Sequence, residues 1–432
     1  MSYTLPKGTF DILPHDPKKE NAWKEASRWQ HLETVMRALA RDYGYEEIRT
    51  PIFEKTELFI RSVGETSDIV SKEMYTFEDK GNRSMTLRPE GTAAVMRAFA
   101  QHGLQQLGHH HKFFYIGPFF RYDRPQAGRY RQFHQFGIEA IGNGGPEQDF
   151  EAIELLYELY NRLGLKNLRV LINSLGSASC REKYREALLA FLKPHLSTLS
   201  EESKVRFVKN PLRILDSKDE KEQALLKGAP SILEFLNEDN RKHFEALCAL
   251  LEESHIPFEI TPGLVRGLDY YNQTVFEITS DVLGAQNTIG AGGRYDGLLP
   301  AVGGPDLPCI GFSTGIERIL HTMEGQNISF PEKKGPLVAL IPLGEEAKKK
   351  AHTLLYSLRH ERISAVSIDA KKIQKALQQA EQMNASFAVI IGEEELKNQS
   401  AQVKTMKTRE TKTLPLDTLI DTFKQRKETD GL

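Results

Sequence analysis

Residues 119–142 have the sequence FFRYDRPQAGRYRQFHQFGIEAIG, and this stretch decides the expected fold. Aromatic and branched residues predict strands over 111–121 and 130–142, and the polar loop DRPQAGR separates them. Strands joined by a short loop pair in opposite directions. A further strand is predicted over 84–88. The pattern therefore predicts an antiparallel sheet.

The segments around this sheet predict an α+β fold with more than one domain. Apolar residues recur every three or four positions from Glu20 to Asp42, which indicates an amphipathic helix. A polar segment bearing proline and glycine, residues 325–336, is a plausible linker. We expect a core over 1–176 and 256–325, a charged helical insertion over 177–255, and a small domain of alternating strands and helices over 336–432.

Composition limits the class of protein. At 432 residues the chain is long enough for two or three domains, each with its own core. A formal net charge of −2 gives no strong global field, so any polyanion site must be built from local arginines. The first residues lack the basic and apolar regions of a signal peptide, and no apolar run approaches a membrane span. We expect a cytoplasmic protein without a membrane segment.

The cysteines and histidines do not predict a metal site or disulfides. Cys180, Cys248 and Cys309 are widely spaced, without CxxC pairs, and structural thiols are the default interpretation. The run His109–His111 is the other candidate. Consecutive residues do not converge on one ion, however, and no carboxylate or cysteine cluster follows. We expect no metal held by protein ligands alone.

The hairpin around DRPQAGR carries residues that suit a charged ligand. Guanidinium groups match phosphate, and an aromatic ring can stack on a base. Four arginines lie within eleven residues: Arg121, Arg124, Arg129 and Arg131. Alternate positions of the returning strand share one face and are occupied by Phe133, Gln135, Gly137 and Glu139. A charged hairpin tip would explain the arginines but not a glutamate among apolar neighbours, because a buried acid needs a partner.

The segment TLRPEGTA, residues 86–93, is a second candidate site. Pro89 and Gly91 flank Glu90, and Thr92 follows, so a constrained turn presents a carboxylate and a hydroxyl. This pair suits an ammonium group, which can donate to one charged and one neutral acceptor. A solvated turn with a helix N-cap at Thr92 explains the same residues equally well.

The segment GLVRGLDYYNQTVFEI, residues 263–278, contains an unexplained cation. Val275, Phe276 and Ile278 stand among polar residues, which predicts a half-buried strand. Arg266 lies just before that strand, between two glycines. No apolar environment accounts for its position, so a functional partner is expected.

Two later segments complete the set. GAGGRYDGLL contains Gly292 and Gly293, which permit close backbone approach to a ligand but alone indicate only a glycine turn. GFSTGIERIL adds Arg318 at a helix start. Together the segments supply arginines for phosphate, an aromatic platform and acids for an ammonium group, which ATP plus an amino acid would satisfy. Neither GxxxxGK[ST] nor GxGxxG occurs, so the nucleotide site would be arginine-based.

The sequence resembles the bacterial-type histidyl-tRNA synthetase family of class II aminoacyl-tRNA synthetases over nearly its whole length. The two signatures specific to that family appear as LVRGLDYY (264–271) and GAGGRYDGL (290–298). Class II motif 1 corresponds to the helix and strand ending near Pro51, motif 2 to FRYDRPQ through FHQFGIE, and motif 3 to GFSTGIERIL. The resemblance implies an antiparallel-sheet catalytic core, a helical insertion and a carboxy-terminal α/β anticodon-binding domain.

The resemblance also implies roles for the matching residues. ATP would be bound by Arg121, Arg129, Phe133 and Arg318, with Arg121 at the α-phosphate and Phe133 on adenine. Histidine would be bound by Glu90, Gly91, Thr92, Arg121, Gln135, Glu139, Arg266, Tyr270 and Tyr271. Within this set Glu90, Thr92 and Gln135 would contact the α-amino group, and Glu139 and Tyr271 the imidazole. Arg266 and Arg121 would be the catalytic residues, with Arg266 at the α-phosphate.

The implied reaction has two steps. L-Histidine and ATP would form histidyl-adenylate, with Mg²⁺ bridging the departing phosphates, and the histidyl group would then pass to the 3′ end of tRNA(His). Motif 1 implies a homodimer. One position departs from the family: Asp123 stands where glutamate is usual, one methylene shorter, which affects the expected contact with the adenine amino group.

Two other functions are compatible with this fold. A catalytically inactive, synthetase-like regulatory subunit of histidine biosynthesis would keep a histidine pocket but tends to lose the reactive arginine and the anticodon-binding domain. Arg266, Arg318 and residues 336–432 argue against it. A structural or translation-factor scaffold would have degraded motifs, and only Asp123 departs from the family pattern here.

Overall fold

The structure is a computed structural model that describes residues 3–64, 67–125, 128–283, 287–331, 335–370 and 372–429. The chain divides into two compact units, Met1–Phe330 and Pro331–Leu432. Parts of three predicted segments lie outside the described residues. They are Gln126 and Ala127 of the loop DRPQAGR, residues 332–334 of the linker, and residues 371 and 430–432 of the carboxy-terminal domain.

An eight-stranded sheet forms the centre of the first unit. The described strands of this unit are β1 (Glu46–Glu47), β2 (Phe53–Lys55), β3 (Tyr75–Glu78), β4 (Ser84–Leu87), β5 (His111–Phe120), β6 (Gln132–Ile141), β7 (Leu168–Ser174), β8 (Phe258–Ile260), β9 (Asn272–Ser280), β10 (Thr288–Arg294) and β11 (Cys309–Gly315). The large sheet has the order β1-β5-β6-β11-β10-β9-β7-β8, and β2-β4-β3 is a separate small sheet. Only the two outermost pairs of the large sheet are parallel, so the predicted antiparallel sheet is confirmed for 111–121 and 130–142. The strand predicted over 84–88 also forms, but it belongs to the small sheet.

The described part of the first unit also contains helices. They are α1 (Ala26–Asp42), α2 (Thr56–Val63), α3 (Thr92–Gln101), α4 (Pro146–Arg162), α5 (Ala178–Leu192), α6 (Glu201–Lys209), α7 (Glu220–Leu226), α8 (Glu238–Glu253), α9 (Leu298–Ala301) and α10 (Ile316–Gly325). Helices α5 to α8 follow one another between β7 and β8, in the segment predicted to be a helical insertion. Helix α1 begins at Ala26 rather than Glu20, because a short 3₁₀ helix, Lys19–Lys24, precedes it.

The two faces of the large sheet contribute to different apolar clusters. Phe276 and Ile278 of β9 belong to one cluster, which also includes residues of α1, α4, α8 and α10. Val275 belongs to the other cluster, with residues of α3 and the helical segment. Neighbouring residues of a strand point to opposite faces, so β9 is covered on both. The predicted half-buried strand is therefore wrong: most of β9 is buried.

The second unit is a small α/β structure with its own sheet. The strands are β12 (Val338–Pro342), β13 (Ala365–Ser367), β14 (Phe387–Ile391), β15 (Ser400–Thr405) and β16 (Thr411–Pro415). The helices are α11 (Glu345–His360), α12 (Ile373–Gln382), α13 (Glu393–Lys397) and α14 (Leu419–Thr429). The sheet order is β13-β12-β14-β15-β16, with parallel pairing around β12. Strands β12 and β14 are wholly buried because helices follow each of them and pack back on the sheet.

Candidate functional site

A cavity of about 620 Å³ opens in the first unit, next to β6, β10 and β11 of the large sheet. Most of the residues singled out from the sequence meet there. Its lining includes Glu90, Gly91, Thr92, Arg121, Arg129, Phe133, Gln135, Arg266, Tyr270, Tyr271 and Arg318. Arg124 and Arg131 of the hairpin do not line the cavity, and Arg131 lies 4.0 Å from the ring centroid of Tyr122 instead. The four hairpin arginines thus divide into two groups.

Glu139 lies behind the cavity wall rather than on it. The residue is 1% exposed, and its carboxylate accepts a hydrogen bond from the Thr92 hydroxyl at 2.8 Å and another from the Tyr295 hydroxyl. Burial raises the pKa of Glu139 to about 8. Gly311 is opposite Glu139 in the sheet and lines the cavity, and any Cβ at Gly311 would meet the carboxylate. The missing side chain at Gly311 leaves this acid next to the cavity.

Glu90 is built into the start of a helix. Its two carboxylate oxygens accept hydrogen bonds from the backbone N–H groups of Thr92, at 2.7 Å, and Ala93, at 2.9 Å, in the first turn of α3. The residue is 4% exposed, so the alternative of a solvated turn is wrong. Burial raises the pKa of Glu90 above its usual range. A helix N-terminus stabilises a carboxylate, which partly offsets that effect.

The hairpin arginines of the cavity are fixed by local contacts. Arg121 donates from Nε to the Pro89 carbonyl at 2.8 Å, and its guanidinium lies 5.3 Å from the ring centroid of Phe133. Arg129 forms an ion pair with Asp123 at 3.0 Å. Burial lowers the pKa of Arg121. Both arginines line the cavity, so their positive charge faces its interior.

Arg318 is a third cation of the cavity and comes from α10, which follows β11, rather than from the hairpin of β5 and β6. It belongs to the first turn of α10 and donates to the Thr288 carbonyl of β10 at 2.6 Å. Burial, and then the neighbouring charge of Arg129, lower the pKa of Arg318. A cation that lowers the pKa of another lies close to it, and such a group of cations is suited to a polyanion.

Arg266 lies in an irregular segment between β8 and β9. Its guanidinium forms an ion pair with Glu277 of β9 and lies 5.8 Å from the ring centroid of Tyr271. Burial, the largest single influence, would lower the pKa of Arg266, but Glu277 together with Tyr271, Tyr270 and Asp216 outweighs it, so the pKa is raised. Glu277 also accepts a hydrogen bond from the Thr288 hydroxyl at 2.7 Å. Arg266 therefore carries its charge at every working pH.

Several residues of the site were missed by sequence reasoning. Tyr295 contacts Glu139 and packs against Tyr270, with ring centroids 5.5 Å apart. Tyr115 lines the cavity, and its ring lies where a side chain at Gly91 or Gly137 would be. Glu277 is the third. Tyr295 stands within GAGGRYDGLL, so the signal for it was present, whereas the pairing of Tyr115 with Gly137 needs the strand register.

The glycines of GAGGRYDGLL have a different role from the one predicted. A Cβ at Gly292 would meet the Gly311 carbonyl, and one at Gly293 would meet backbone atoms of Thr274 and Val275. These contacts are with the neighbouring strands β11 and β9, and a Cβ at Gly293 would also meet the Tyr271 ring; neither Gly292 nor Gly293 itself lines the cavity. Gly290 of the same segment does line the cavity. The glycines at 292 and 293 therefore serve close strand packing.

An aromatic cluster supports the hairpin from behind. Tyr130, next to Arg129, lines the cavity and lies with its ring centroid 5.5 Å from that of Trp23 and 4.9 Å from that of Phe10. Phe10 also contacts Trp29, at 5.9 Å between ring centroids. Large rings in mutual contact bury much apolar area. They fix the base of the hairpin at the cavity edge.

Known proteins resemble this chain throughout its length. A family model described as histidyl-tRNA synthetase matches residues 19–319, and one described as an anticodon binding domain matches residues 337–426. Histidine–tRNA ligase of Protochlamydia amoebophila is 55% identical over 98% of this chain and 100% of the relative, and that of Geobacillus sp. is 47% identical over 99% and 100%. The crystal structure of apo Staphylococcus aureus histidyl-tRNA synthetase, 38% identical, superposes with a TM-score of 0.82 over 98% of this chain and 100% of that one. The chain therefore belongs to the histidyl-tRNA synthetase family.

Proposed function

We propose that the cavity activates L-histidine with ATP to histidyl-adenylate and pyrophosphate, and that the histidyl group is then transferred to the 3′ end of tRNA(His). One observation carries this proposal: arginines suited to a triphosphate line the same cavity as acceptors suited to an amino acid. The arginines are Arg121, Arg129, Arg266 and Arg318, and the acceptors are Glu90, Thr92 and Gln135. Curated relatives with the printed name histidine–tRNA ligase support the same reaction.

ATP binding rests on the hairpin and α10. Arg129 and Arg318 would bind the outer phosphates, and Arg121 the α-phosphate together with the histidine carboxylate, since guanidinium groups bind such oxygens in pairs. Phe133 would stack on adenine. The contact between the Arg121 guanidinium and the Phe133 ring supports a phosphate and a base held side by side.

The histidine α-amino group would be bound at the start of α3. Glu90 supplies a buried carboxylate and Thr92 a hydroxyl. Gln135 donates to the Ser313 hydroxyl at 3.2 Å, while its amide oxygen is buried without a hydrogen-bond partner. A buried acceptor left unpaired costs free energy, and an ammonium group would satisfy it.

The imidazole would be recognised by Glu139 and Tyr271. Gly311 lies opposite Glu139 in the adjacent strand β11 and has no side chain, so a ring placed against Gly311 would come within reach of the carboxylate. An apolar substrate would offer these two polar groups no hydrogen-bond partner in the cavity, and a mismatch of this kind can disfavour the wrong substrate by roughly 10⁴-fold. Histidine would therefore be chosen by pocket polarity.

Arg266 would stabilise the transition state. Attack of the histidine carboxylate on the α-phosphorus develops negative charge on the nonbridging oxygens, and a guanidinium fixed beforehand stabilises that charge. The ion pair with Glu277 supports such fixation. Arg266 and Arg121 are the residues to which we assign the chemical step.

Mg²⁺ is part of the proposal as a companion of ATP. Among the described residues no three histidine, cysteine, aspartate or glutamate side chains form a metal cage. Mg²⁺ with a nucleotide needs none, because phosphate oxygens, water and one or two carboxylates suffice. The carboxylates of Glu73 and Glu277 line the cavity and fit that requirement. When bound, the ion would neutralise charge on the departing pyrophosphate.

The second unit would bind the anticodon of tRNA(His), as its match to an anticodon-binding model suggests.

We extend the proposal to a homodimer. Exposed apolar residues mark interfaces, and Ile52, Phe53 and Phe77 of the small sheet region are 46%, 50% and 44% exposed. A cytoplasmic location completes it, supported by the unbridged thiols of Cys180, Cys248 and Cys309. No helix in the described part of the chain is long and apolar enough to cross a membrane.

The test is ATP–pyrophosphate exchange with each of the twenty amino acids, followed by charging of tRNA(His). Exchange that depends on histidine alone is the expected result. A histidine-binding regulatory protein would bind the amino acid without exchange, so that outcome would replace the proposal by the binding-protein alternative. Sedimentation of the full chain tests the dimer, which a monomer at all concentrations would exclude.

A further inference from the structure

The segment that carries Arg266 has no regular secondary structure. Between β8 and β9, residues 261–271 form neither a strand nor a helix, only turns and bends. Their backbone carbonyls therefore lack ladder partners and need others, because buried backbone groups are almost always paired. The same segment contains Tyr270 and Tyr271, so its conformation sets three residues of the proposed site.

The hydrogen-bond donors to this segment come both from the large sheet and from outside it. Asn173 of β7 donates to the carbonyls of Pro262 and Leu264, each at 3.0 Å. Further along, the donors belong to the helical insertion. Arg213 donates to the Gly267 carbonyl at 2.7 Å and forms an ion pair with Asp269 at 2.9 Å.

A second insertion arginine reaches the end of the segment. Arg181 of α5 donates to the Tyr271 carbonyl at 3.1 Å. Asn210, beside the 3₁₀ helix that carries Arg213, donates to the Asp269 carboxylate at 3.1 Å. Side chains of the insertion thus contact Gly267, Asp269 and Tyr271, all within five residues after Arg266.

Burial makes these contacts unlike ordinary surface pairs. Arg213 is 9% exposed, and burial lowers the pKa of Arg181. Long charged side chains lose solvation and rotamer freedom when buried, and they are retained where their donors have acceptors in fixed positions. Both arginines find such acceptors in the irregular segment, and a charged donor gives a stronger hydrogen bond than a neutral one.

We propose that Arg181 and Arg213 are positioning residues for the reaction: the helical insertion sets the geometry of Arg266 through Gly267 and Asp269, and that of Tyr271 through its carbonyl. The insertion is then part of the catalytic apparatus. This inference rests on the proposed roles of Arg266 in the chemical step and of Tyr271 in histidine binding. It predicts different kinetic consequences for the two arginines.

Steady-state ATP–pyrophosphate exchange by the full chain tests the inference. Arg213→Met should lower kcat by about tenfold to a hundredfold, because a misplacement of about 1 Å has effects of that size, and should change the KM for histidine little. Arg181→Met should chiefly raise the KM for histidine. Arg185→Met is the matched control, since Arg185 is exposed and lies on the same helix α5, and it should change neither value.

A second background separates positioning from general destabilisation. The Arg266→Ala variant lacks the guanidinium that Arg213 is proposed to position. Adding Arg213→Met to this variant should therefore lower kcat by less than about twofold, because both substitutions affect the same group. Equal slowing in both backgrounds would overturn the inference. Arg213→Lys keeps one charged donor and should recover part of the rate, so a poorly folding Met variant does not end the test. If Arg266→Ala itself is fully active, the proposed function fails, which is a distinct result.

Discussion

Arg266 and Arg318 are connected through two residues of the cavity wall. Arg266 forms an ion pair with Glu277, Glu277 accepts a hydrogen bond from the Thr288 hydroxyl, and the Thr288 carbonyl accepts one from Arg318. The arginine proposed for the α-phosphate and one of those proposed for the outer phosphates are thus held by adjacent strands, β9 and β10. Groups fixed in this way need not reorganise when charge develops on the substrate.

Arg266→Ala should lower the kcat of histidine-dependent exchange by about a hundredfold to a thousandfold, the usual loss for one electrostatic stabiliser. It should also raise the KM for ATP, because the negative charge of Glu277 would face the phosphates without its ion-pair partner. Arg266→Lys is the control: it keeps the charge beside Glu277 and should restore the KM, but only part of kcat, because ammonium lacks the planar pair of donors. Full kcat in the alanine variant would contradict the assignment.

Glu139→Ala should weaken histidine binding by about tenfold to a hundredfold, the usual cost of leaving a buried hydrogen-bonding group of the ligand without its partner. ATP binding should persist, because the phosphate arginines do not contact Glu139. Calorimetric titration with each ligand separately measures both effects. Equal loss for histidine and ATP would mean that Glu139 supports the whole cavity and does not recognise the imidazole.

The stability of the chain should depend on pH through Glu139. Burial raises the pKa of Glu139 from 4.5 to about 8. Between these values the folded chain keeps a proton that the unfolded chain has released, so the free energy of unfolding falls as pH rises, by about 1 kcal/mol per pH unit from this group. Glu139→Gln removes this titrating group. The free energy of unfolding of the variant, relative to that of the wild type, should therefore increase from pH 6 to pH 7.5 in denaturant titrations. Parallel pH profiles for both proteins would disprove this.

Asp123→Glu should lower the KM for ATP, because the longer side chain reaches further toward the proposed position of adenine. Asp123 already pairs with Arg129 at 3.0 Å, so Asp123→Ala should raise the KM by releasing that arginine. Exchange rates measured at varied ATP concentration distinguish the two effects. A glutamate variant indistinguishable from wild type would indicate that the shorter acid already makes its contact.

Removal of residues 336–432 should leave histidine-dependent exchange within about threefold of wild type, because the proposed cavity is lined by residues of the first unit. Charging of tRNA(His) should fall much further. Parallel exchange and charging assays on the truncated chain provide the measurement. Unchanged charging would remove the anticodon role from the second unit.

Local patterns were sufficient for the antiparallel sheet and for many of the charged residues of the cavity lining. The alternation Phe133, Gln135, Gly137, Glu139 has period two, and β6 displays these residues on one face as expected. Arginine between glycines indicated that Arg266 had a special partner. Such patterns can be recognised in the sequence because they depend only on residues that are close together in the chain.

Contacts between distant segments could not be predicted. Burial on both faces of β9 depends on helices from other parts of the chain, among them α3 and α4, which precede it by more than a hundred residues. The sequence of β9 alone resembles a half-covered strand. The partner of Arg266 is Glu277, a residue whose alternation with apolar neighbours indicated exposure to solvent. The contacts of Arg213 with the Arg266 segment likewise require the fold, since they join residues 54 and 56 positions apart.

The aromatic cluster behind the hairpin gives the protein a built-in optical signal. The chain has only two tryptophans, and both Trp23 and Trp29 belong to that cluster. Trp23 contacts Tyr130 at the cavity edge, next to Arg129. The fluorescence of Trp23 therefore reports on the surroundings of the hairpin. If the proposed nucleotide binding rearranges the hairpin, stopped-flow records of tryptophan emission from the unlabelled chain would follow it.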